Sequence, residues 1–291
     1  MTSEATPRWF QKALADAPEH RDTVVDGCRI HLRCWGDPDQ PGVVLVHGGS
    51  AHSGWWDHIA PFFAGTHRVI ALDLSGHGDS GWRPTYELTL WAREVVAAAD
   101  AGGVTGPFSV IGHSMGGWVT ATVGVRHGER IDGIVIIDSP LNDQPPEEER
   151  LIRRQRPTKI YATREEIQAR FTTLPPQEVL LPYVREHIAA ESIRAADGGW
   201  TWKFDPMMFG QRQLLRDLLT ELRCRAAFIR CEFGIVPPSM AGEIDALLGH
   251  RVPIVELPDA GHHPMLDQPL PLVTALRTLL MQWALTGRAV A

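Results

Sequence analysis

The chain has little of what marks several broad classes of protein. No apolar run approaches the roughly 20 residues that span a bilayer as a helix, so no membrane partner is expected. The first twenty residues, Met1 to His20, hold no apolar segment with a cleavage pattern, and no secretory leader is expected. Cysteine is scarce: Cys28, Cys34, Cys224 and Cys231 make up the complement, with no C-x-x-C pair and no His/Cys grouping at zinc spacing. That argues against a zinc module and for reduced, structural thiols in a cytoplasmic protein. Excess positive charge is absent as well. Lys and Arg number 28 against 35 Asp and Glu, a net charge of -7, which removes the electrostatic case for nucleic acid or an anionic membrane. Tyrosine is rare, three residues against ten tryptophans, so the placement of the tryptophans carries information.

What is present is an ordinary globular composition, 44% hydrophobic over 291 residues, enough for one large α/β domain with an inserted subdomain. Arg8 to Ala17 has the pattern of a short amphipathic helix. Thr23-Val24-Val25, the turn Asp26-Gly27 and Arg29 to Trp35 read as a hairpin. Three continuous apolar runs follow, Val43–Val46, Val69–Leu72 and Phe108–Ile111, and Ile134–Asp138 is a fourth. Such runs suit strands buried on both faces. A helical pattern over Thr89 to Ala99 separates two of them. Strands alternating with helices predict a parallel, doubly wound sheet whose carboxyl ends share one edge. His47, Asp73, Ser114 and Asp138 all follow such ends. From about Pro140 the character changes: charged, proline-broken sequence leads into helical stretches at Arg164 to Phe171, Pro176 to Ala196 and Gln211 to Cys224, without good strands. Strand patterns resume at Ala226–Arg230 and Val252–Leu257, and a final helix is expected over Leu270 to Leu285.

Gly112-His113-Ser114-Met115-Gly116 fits G-x-S-x-G, a tight strand-to-helix turn that holds a serine hydroxyl at a helix N-terminus. Small neighbours let the backbone bend, and the following N–H groups face any oxyanion that develops on a bound carbonyl. Alone the pattern also fits an ordinary glycine-rich turn. Gly76-His77-Gly78-Asp79-Ser80-Gly81 fits G-x-G-x-x-G, but Trp82-Arg83-Pro84 interrupts the helix a dinucleotide site requires, so no cofactor is expected.

Four motifs in order resemble the α/β-hydrolase superfamily in its cap-bearing subset: Val43–Gly49, Asp73–Ser80, Gly112–Gly117 and Pro258-Asp259-Ala260-Gly261-His262-His263-Pro264. The resemblance covers roughly Val24 to Leu285. It implies a mostly parallel eight-stranded sheet flanked by helices, with the core at residues 1–139 and 225–291 and a helical cap at 140–224. It implies Ser114 as nucleophile and His262 as base, in preference to its neighbour His263. Backbone N–H groups of Gly49 and Met115 would form the oxyanion hole, with Ser50 a near alternative. His47 is expected to brace that loop, and Asp73 and Asp79 to form turns.

The acid departs from the family pattern. The stretch after the cap, Ile229–Val236, contains no Asp. Asp138, at the end of the strand before the cap, is preferred, and Glu232, in the usual loop, is the alternative. Trp55, Trp56, Trp200, Trp202 and Met207 are candidate pocket walls for a hydrophobic or aromatic group, with filling of the cap–sheet interface as the plainer reading. Arg150, Arg153, Arg154 and Arg156 read as a solvated face paired with Glu147 to Glu149. The resemblance implies a cofactor-independent serine hydrolase of a small to medium carboxylic ester or lactone. Carbon–carbon bond hydrolysis by the same triad is the second enzymatic reading, and a non-catalytic ligand-binding protein on the same fold is the reading from another class. A homo-oligomer is compatible with the sequence.

Overall fold

The computed structural model describes residues 6–141, 159–208 and 215–287. Helix α1 (Arg8–Ala15) precedes the antiparallel pair β1 (Glu19–Val25) and β2 (Cys28–Trp35). The pair turns at Asp26-Gly27, both with positive φ, as a two-residue hairpin requires. Next come β3 (Gly42–Val46), β4 (Arg68–Leu72), α2 (Leu88–Ala101), β5 (Phe108–His113), α3 (Met115–Arg126) and β6 (Ile131–Ile137). An excursion follows, containing α4 (Arg164–Ala169), α5 (Pro182–Glu191), the hairpin β7 (Ile193–Ala196) and β8 (Gly199–Trp202), and α6 (Leu215–Leu219). The chain then returns through β9 (Arg225–Phe233), α7 (Pro238–Leu247), β10 (Ile254–Gly261), α8 (Pro264–Asp267) and α9 (Pro269–Thr286).

Eight strands form one sheet in the order β1-β2-β4-β3-β5-β6-β9-β10. The pairs β1/β2 and β2/β4 are antiparallel, and the remaining neighbours are parallel. This is the α/β-hydrolase architecture that the alternating pattern and the motifs predict. Side chains of a strand alternate between faces, so β3 feeds two cores. Val44 and Val46 join Trp91 and Val119 of α2 and α3, whereas Val43 and Leu45 join Trp56, Leu272 and Leu276 on the opposite face.

The excursion differs from the all-helical expectation. Helix α5 ends at Glu191, and Ile193–Ala196 reverses through Asp197-Gly198-Gly199 to pair with Gly199–Trp202. Positive φ at Gly198 and Gly199 permits that reversal, which a continuing helix would not allow. The turn after β4 holds the excursion to the sheet. Gly78 N donates to Lys203 O (2.7 Å), Asp205 N donates to Gly76 O (2.8 Å), and Tyr86 Oη donates to Asp205 Oδ2 (2.6 Å). Asp73 closes the same turn, accepting from Ser53 N (2.6 Å) and Asp79 N (2.8 Å). The G-x-G-x-x-G segment is therefore a docking turn, and the next helix begins only at Leu88. On the other side, buried Arg33 of β2 bonds Asp57 (2.8 Å) and Glu191 of α5 (2.7 Å). The arginine cluster at 150–156 and its acidic neighbours lie outside the described residues. No helix among the described residues is long and apolar enough to cross a membrane.

Candidate active site

The carboxyl ends of β3, β5, β6 and β10 converge, and each delivers one part of the site. β5 ends at His113, and Ser114 turns the chain with φ 54° and ψ -120° before α3 begins at Met115. Such a φ is uncommon for a residue with a side chain, and it projects the serine from an otherwise buried segment. Close packing accompanies the bend. A Cβ on Gly116 would lie 2.5 Å from Val46 O, and one on Gly112 would lie 2.2 Å from Gly116 O. Ser114 N donates to Ile137 O (2.9 Å), and Ser139 Oγ donates to Ser114 O (2.7 Å), so β6 clamps the turn from beside it.

His262 follows β10 directly. Its Nε2 lies 3.0 Å from Ser114 Oγ and its Nδ1 lies 2.8 Å from Asp138 Oδ2. A carboxylate only accepts, so Nδ1 carries the proton and Nε2 presents its lone pair to the serine hydroxyl. Asp138, 0% exposed, is itself anchored by backbone donors of the β9 loop: Ile235 N at 2.9 Å to Oδ2 and Cys231 N at 3.3 Å to Oδ1. The loop that lacks an Asp thus wraps the carboxylate of a neighbouring strand. Gly234 is part of that wrap, because a Cβ there would meet Asp138 Oδ2 at 2.2 Å.

Glu232, the alternative acid, is not at the histidine. It is exposed and accepts from Asp259 N (2.9 Å), bracing the loop that leads to His262. Glu232 is exposed near the end of β9, whereas Asp138 is fully buried and meets the ring at Nδ1.

The loop after β3 approaches from the other side. His47 donates from Nδ1 to Gly48 O (2.7 Å) and accepts at Nε2 from Leu74 N (3.1 Å), which fixes the loop's path. A Cβ at Gly49 would lie 3.7 Å from Met115 Sδ, so the two candidate oxyanion donors come from adjoining backbone. The N–H of Met115, first residue of α3, has no intrahelical acceptor by construction.

Two further histidines pack on His262, with ring centroids 4.6 Å away for His263 and 4.8 Å for His113. His113 Nε2 donates to His262 O (2.7 Å) and so holds that residue's backbone in place. Burial, reinforced by the neighbouring histidines, pushes His113 well below the usual histidine range and His263 down to about 3. Gln177 and Asp267 were not legible as site residues. Gln177 Oε1 accepts from His263 N (2.9 Å) and its Nε2 donates to Asp267 Oδ2 (2.7 Å), which also accepts from Gly261 N (2.6 Å). This strap ties the excursion to the histidine loop. Its one sequence signal is an acid five residues beyond His262.

A cavity of about 200 Å³ opens beside Gly49 and His263, walled by Trp55, Phe171, Trp202 and Phe204. Trp55 and Trp202 thus stand on its wall, and three other expectations need correction. Trp56 is fully buried in the α9-side core, because the short 3-10 turn Ser53–Trp56 points it inward. Trp200 packs with Tyr161, Ile167 and Ile193, a cluster that Trp202, on the same face of β8, also touches, but only Trp202 reaches the cavity lining. Met207 is 43% exposed, whereas Met208 is buried and would come within 3.9 Å of a Gly49 Cβ.

Two groups among the described residues have donor atoms at metal-like spacing, His113/His262/His263 and His31/Asp73/Asp79. In the first, both nitrogens of His262 are engaged by Ser114 and Asp138. In the second, both oxygens of Asp73 are taken by backbone N–H groups, and His31 pairs with Asp22 at 3.0 Å. Neither has the open donor set a resident metal needs.

Comparison with known proteins bears on the fold and the family. A monoacylglycerol lipase of Mycolicibacterium smegmatis is 34% identical over 132 residues, 43% of this chain and 47% of that protein. The chain matches about half the length, or less, of the first curated relatives. Lipase LipV of Mycobacterium tuberculosis is 21% identical over 257 residues, 86% of this chain and 97% of that one. Among solved structures, a thioesterase domain from the curacin biosynthetic pathway shares the fold with a TM-score of 0.76 at 18% identity, covering 90% of this chain and 99% of that one. A family model described as the alpha/beta hydrolase family matches residues 43–275, across the strand order and the serine turn described above, and the chain belongs to that family.

Proposed function

We propose that the chain is a serine hydrolase of small carboxylic esters or lactones, working through an acyl-enzyme on Ser114. The observation that carries this reading is the unbroken relay Ser114 Oγ, His262, Asp138, at 3.0 and 2.8 Å. A serine hydroxyl is unreactive near neutral pH without an adjacent base, and this relay supplies one in the required tautomer. In the reaction, Ser114 Oγ attacks the carbonyl carbon as His262 Nε2 takes its proton. The N–H groups of Met115 and Gly49 receive the oxyanion, each contributing about a hundredfold or more. His262 returns the proton to the leaving alcohol, and water, deprotonated by the same nitrogen, releases the acid. Asp138 holds the imidazole and stabilises its charged form.

The domain division belongs to the same reading: residues 1–139 and 225–291 as core and 140–224 as a cap. Phe171, Thr173 and Trp202 of the excursion form a wall of the cavity, which supports that role. The cavity's size favours a short acyl group. Four unpaired thiols favour a reducing compartment, the cytoplasm.

A fluorophosphonate probe tests the reading. The expected result is one covalent adduct on Ser114, lost in Ser114→Ala, with turnover of 4-nitrophenyl acetate lost in parallel. Folded protein that takes up no probe, or takes it up equally as Ser114→Ala, is a binding protein rather than an enzyme.

A further inference from the structure

We propose that the cavity beside Gly49 and His263 is a subsite for an acyl group that carries its own acceptor oxygen, a keto, hydroxy or alkoxy group, in preference to a plain alkyl chain. The proposal rests on Ser114 being the nucleophile and names the substrate class of that site.

The argument begins with polar atoms left over. Ser50 Oγ, Trp55 Nε1 and Thr173 Oγ1 are buried without a hydrogen-bond partner among the described residues. All three residues line one cavity of about 200 Å³. Trp55 and Thr173 are at most 6% exposed. A buried polar group without a partner costs about 1–3 kcal/mol, so native proteins keep few, and a cluster of them around one cavity next to Gly49 is expected to be met by a ligand.

The chemistry of the leftover atoms then selects the ligand. Trp55 Nε1 is a donor only, so whatever meets it must accept. Burial holds His263 neutral, with the Leu174 and Pro175 backbone as hydrogen-bond partners of its ring, so it adds no charge to the lining. Ser50 and Thr173 hydroxyls donate or accept as required. No carboxylate stands among the described lining residues, and the charged ones are both cations. Lys203 is already paired with Asp79 at 2.9 Å, and Arg170 lies at the outer side with more than half of its side chain exposed. The lining therefore favours a neutral or anionic, acceptor-bearing group and disfavours a cationic one. The apolar walls set the shape. Trp55 packs against His263 at 5.5 Å and Phe171 at 6.1 Å between ring centroids, leaving room for a compact group rather than a long chain.

A site built to bond a polar group rejects an isostere that lacks it far more strongly than an apolar pocket rejects an extra methylene. The test compares 4-nitrophenyl 5-oxohexanoate with 4-nitrophenyl 5-methylhexanoate, which share leaving group and length and differ by C=O against C–CH3. Each kcat/KM is normalised to spontaneous hydrolysis of the same ester. The expected ratio is at least about 30-fold in favour of the oxo ester. Trp55→Phe and Thr173→Val should each reduce that ratio about five- to tenfold. A wild-type ratio near one, a preference for the methyl ester, or variants that leave the ratio unchanged would overturn the proposal. Fluorophosphonate labelling of Ser114 in the same preparations separates the failures. Labelling with a ratio of one removes only the polar subsite, whereas unlabelled folded protein removes the hydrolase reading beneath it. If both variants misfold, the wild-type ratio alone decides.

Discussion

Replacing Asp138 by Asn tests the least regular part of the triad. The carboxylate is fully buried and accepts three bonds: His262 Nδ1 at 2.8 Å, Ile235 N at 2.9 Å and Cys231 N at 3.3 Å. An amide has one accepting oxygen and one donating nitrogen, so it cannot serve all three. The shorter two bonds share Oδ2. An amide nitrogen placed there opposes Ile235 N–H and drives His262 to the tautomer with its proton on Nε2, unable to deprotonate Ser114. That tautomer error costs about 10⁴ in kcat in a Ser-His-Asp triad, or roughly 5.5 kcal/mol of barrier. The opposite amide rotamer keeps the His262 bond but loses the negative charge and sets two donors together at Cys231. KM should change little, because Asp138 reaches the substrate only through the imidazole. Steady-state kinetics on 4-nitrophenyl acetate, with Glu232→Gln beside it, is the assay. Glu232→Gln is expected within about threefold of wild type, since that side chain braces Asp259 N and does not reach the ring. Asp138→Asn retaining more than a tenth of wild-type kcat, or Glu232→Gln falling as far as Asp138→Asn, would refute the assignment.

Gly234→Ala should lower kcat at least tenfold with little loss of fold, because the added methyl meets Asp138 Oδ2 at 2.2 Å and must displace either the carboxylate or the loop; wild-type kcat in this variant would mean that the wrap around Asp138 is not needed. Acid should destabilise the protein early. Burial holds His58 down to about 4 and His263 down to about 3, and pushes His47, His52, His77 and His113 down as well. Each folded pKa lies below the unfolded value near 6.5, so the stability is present above that pH and is lost as pH falls. At pH 5.5 His58 and His263 alone cost about 3 kcal/mol, and the other four act in the same direction. Thermal melts should be flat from pH 8 to 7 and fall steeply from 6.5 to 5.5, and a flat profile to pH 5 would contradict the neutral buried imidazoles. Asp267 has the opposite sign: burial raises its carboxyl to about 6, so its favourable contribution is present below its unfolded value near 4 and lost as pH rises through 6. Asp267→Asn should therefore raise Tm more at pH 8 than at pH 5, as read by differential scanning fluorimetry, and an equal shift at both would assign the effect to packing.

Local chemistry was legible in the residue order. The apolar runs of β3 to β6, the Asp26-Gly27 turn and the Ser114 elbow each rest on neighbours a few residues apart, and those determine backbone preference directly. Short-range pattern failed where two local states competed. Ile193–Ala196 continues the composition of α5 yet forms β7, because the strand's stability lies in its partner Gly199–Trp202. Aromatic roles also escaped it. Trp55 and Trp56 are adjacent and chemically identical, but one lines a cavity and the other fills a core, a difference set by what packs around a single turn. By itself, then, the sequence determined the family's sheet and pointed to Ser114, His262 and the shortage of an acid in the expected loop. Only the tertiary structure brings Asp138, and not Glu232, to His262, because that contact joins groups 124 residues apart, and chain order carries no distance across a fold.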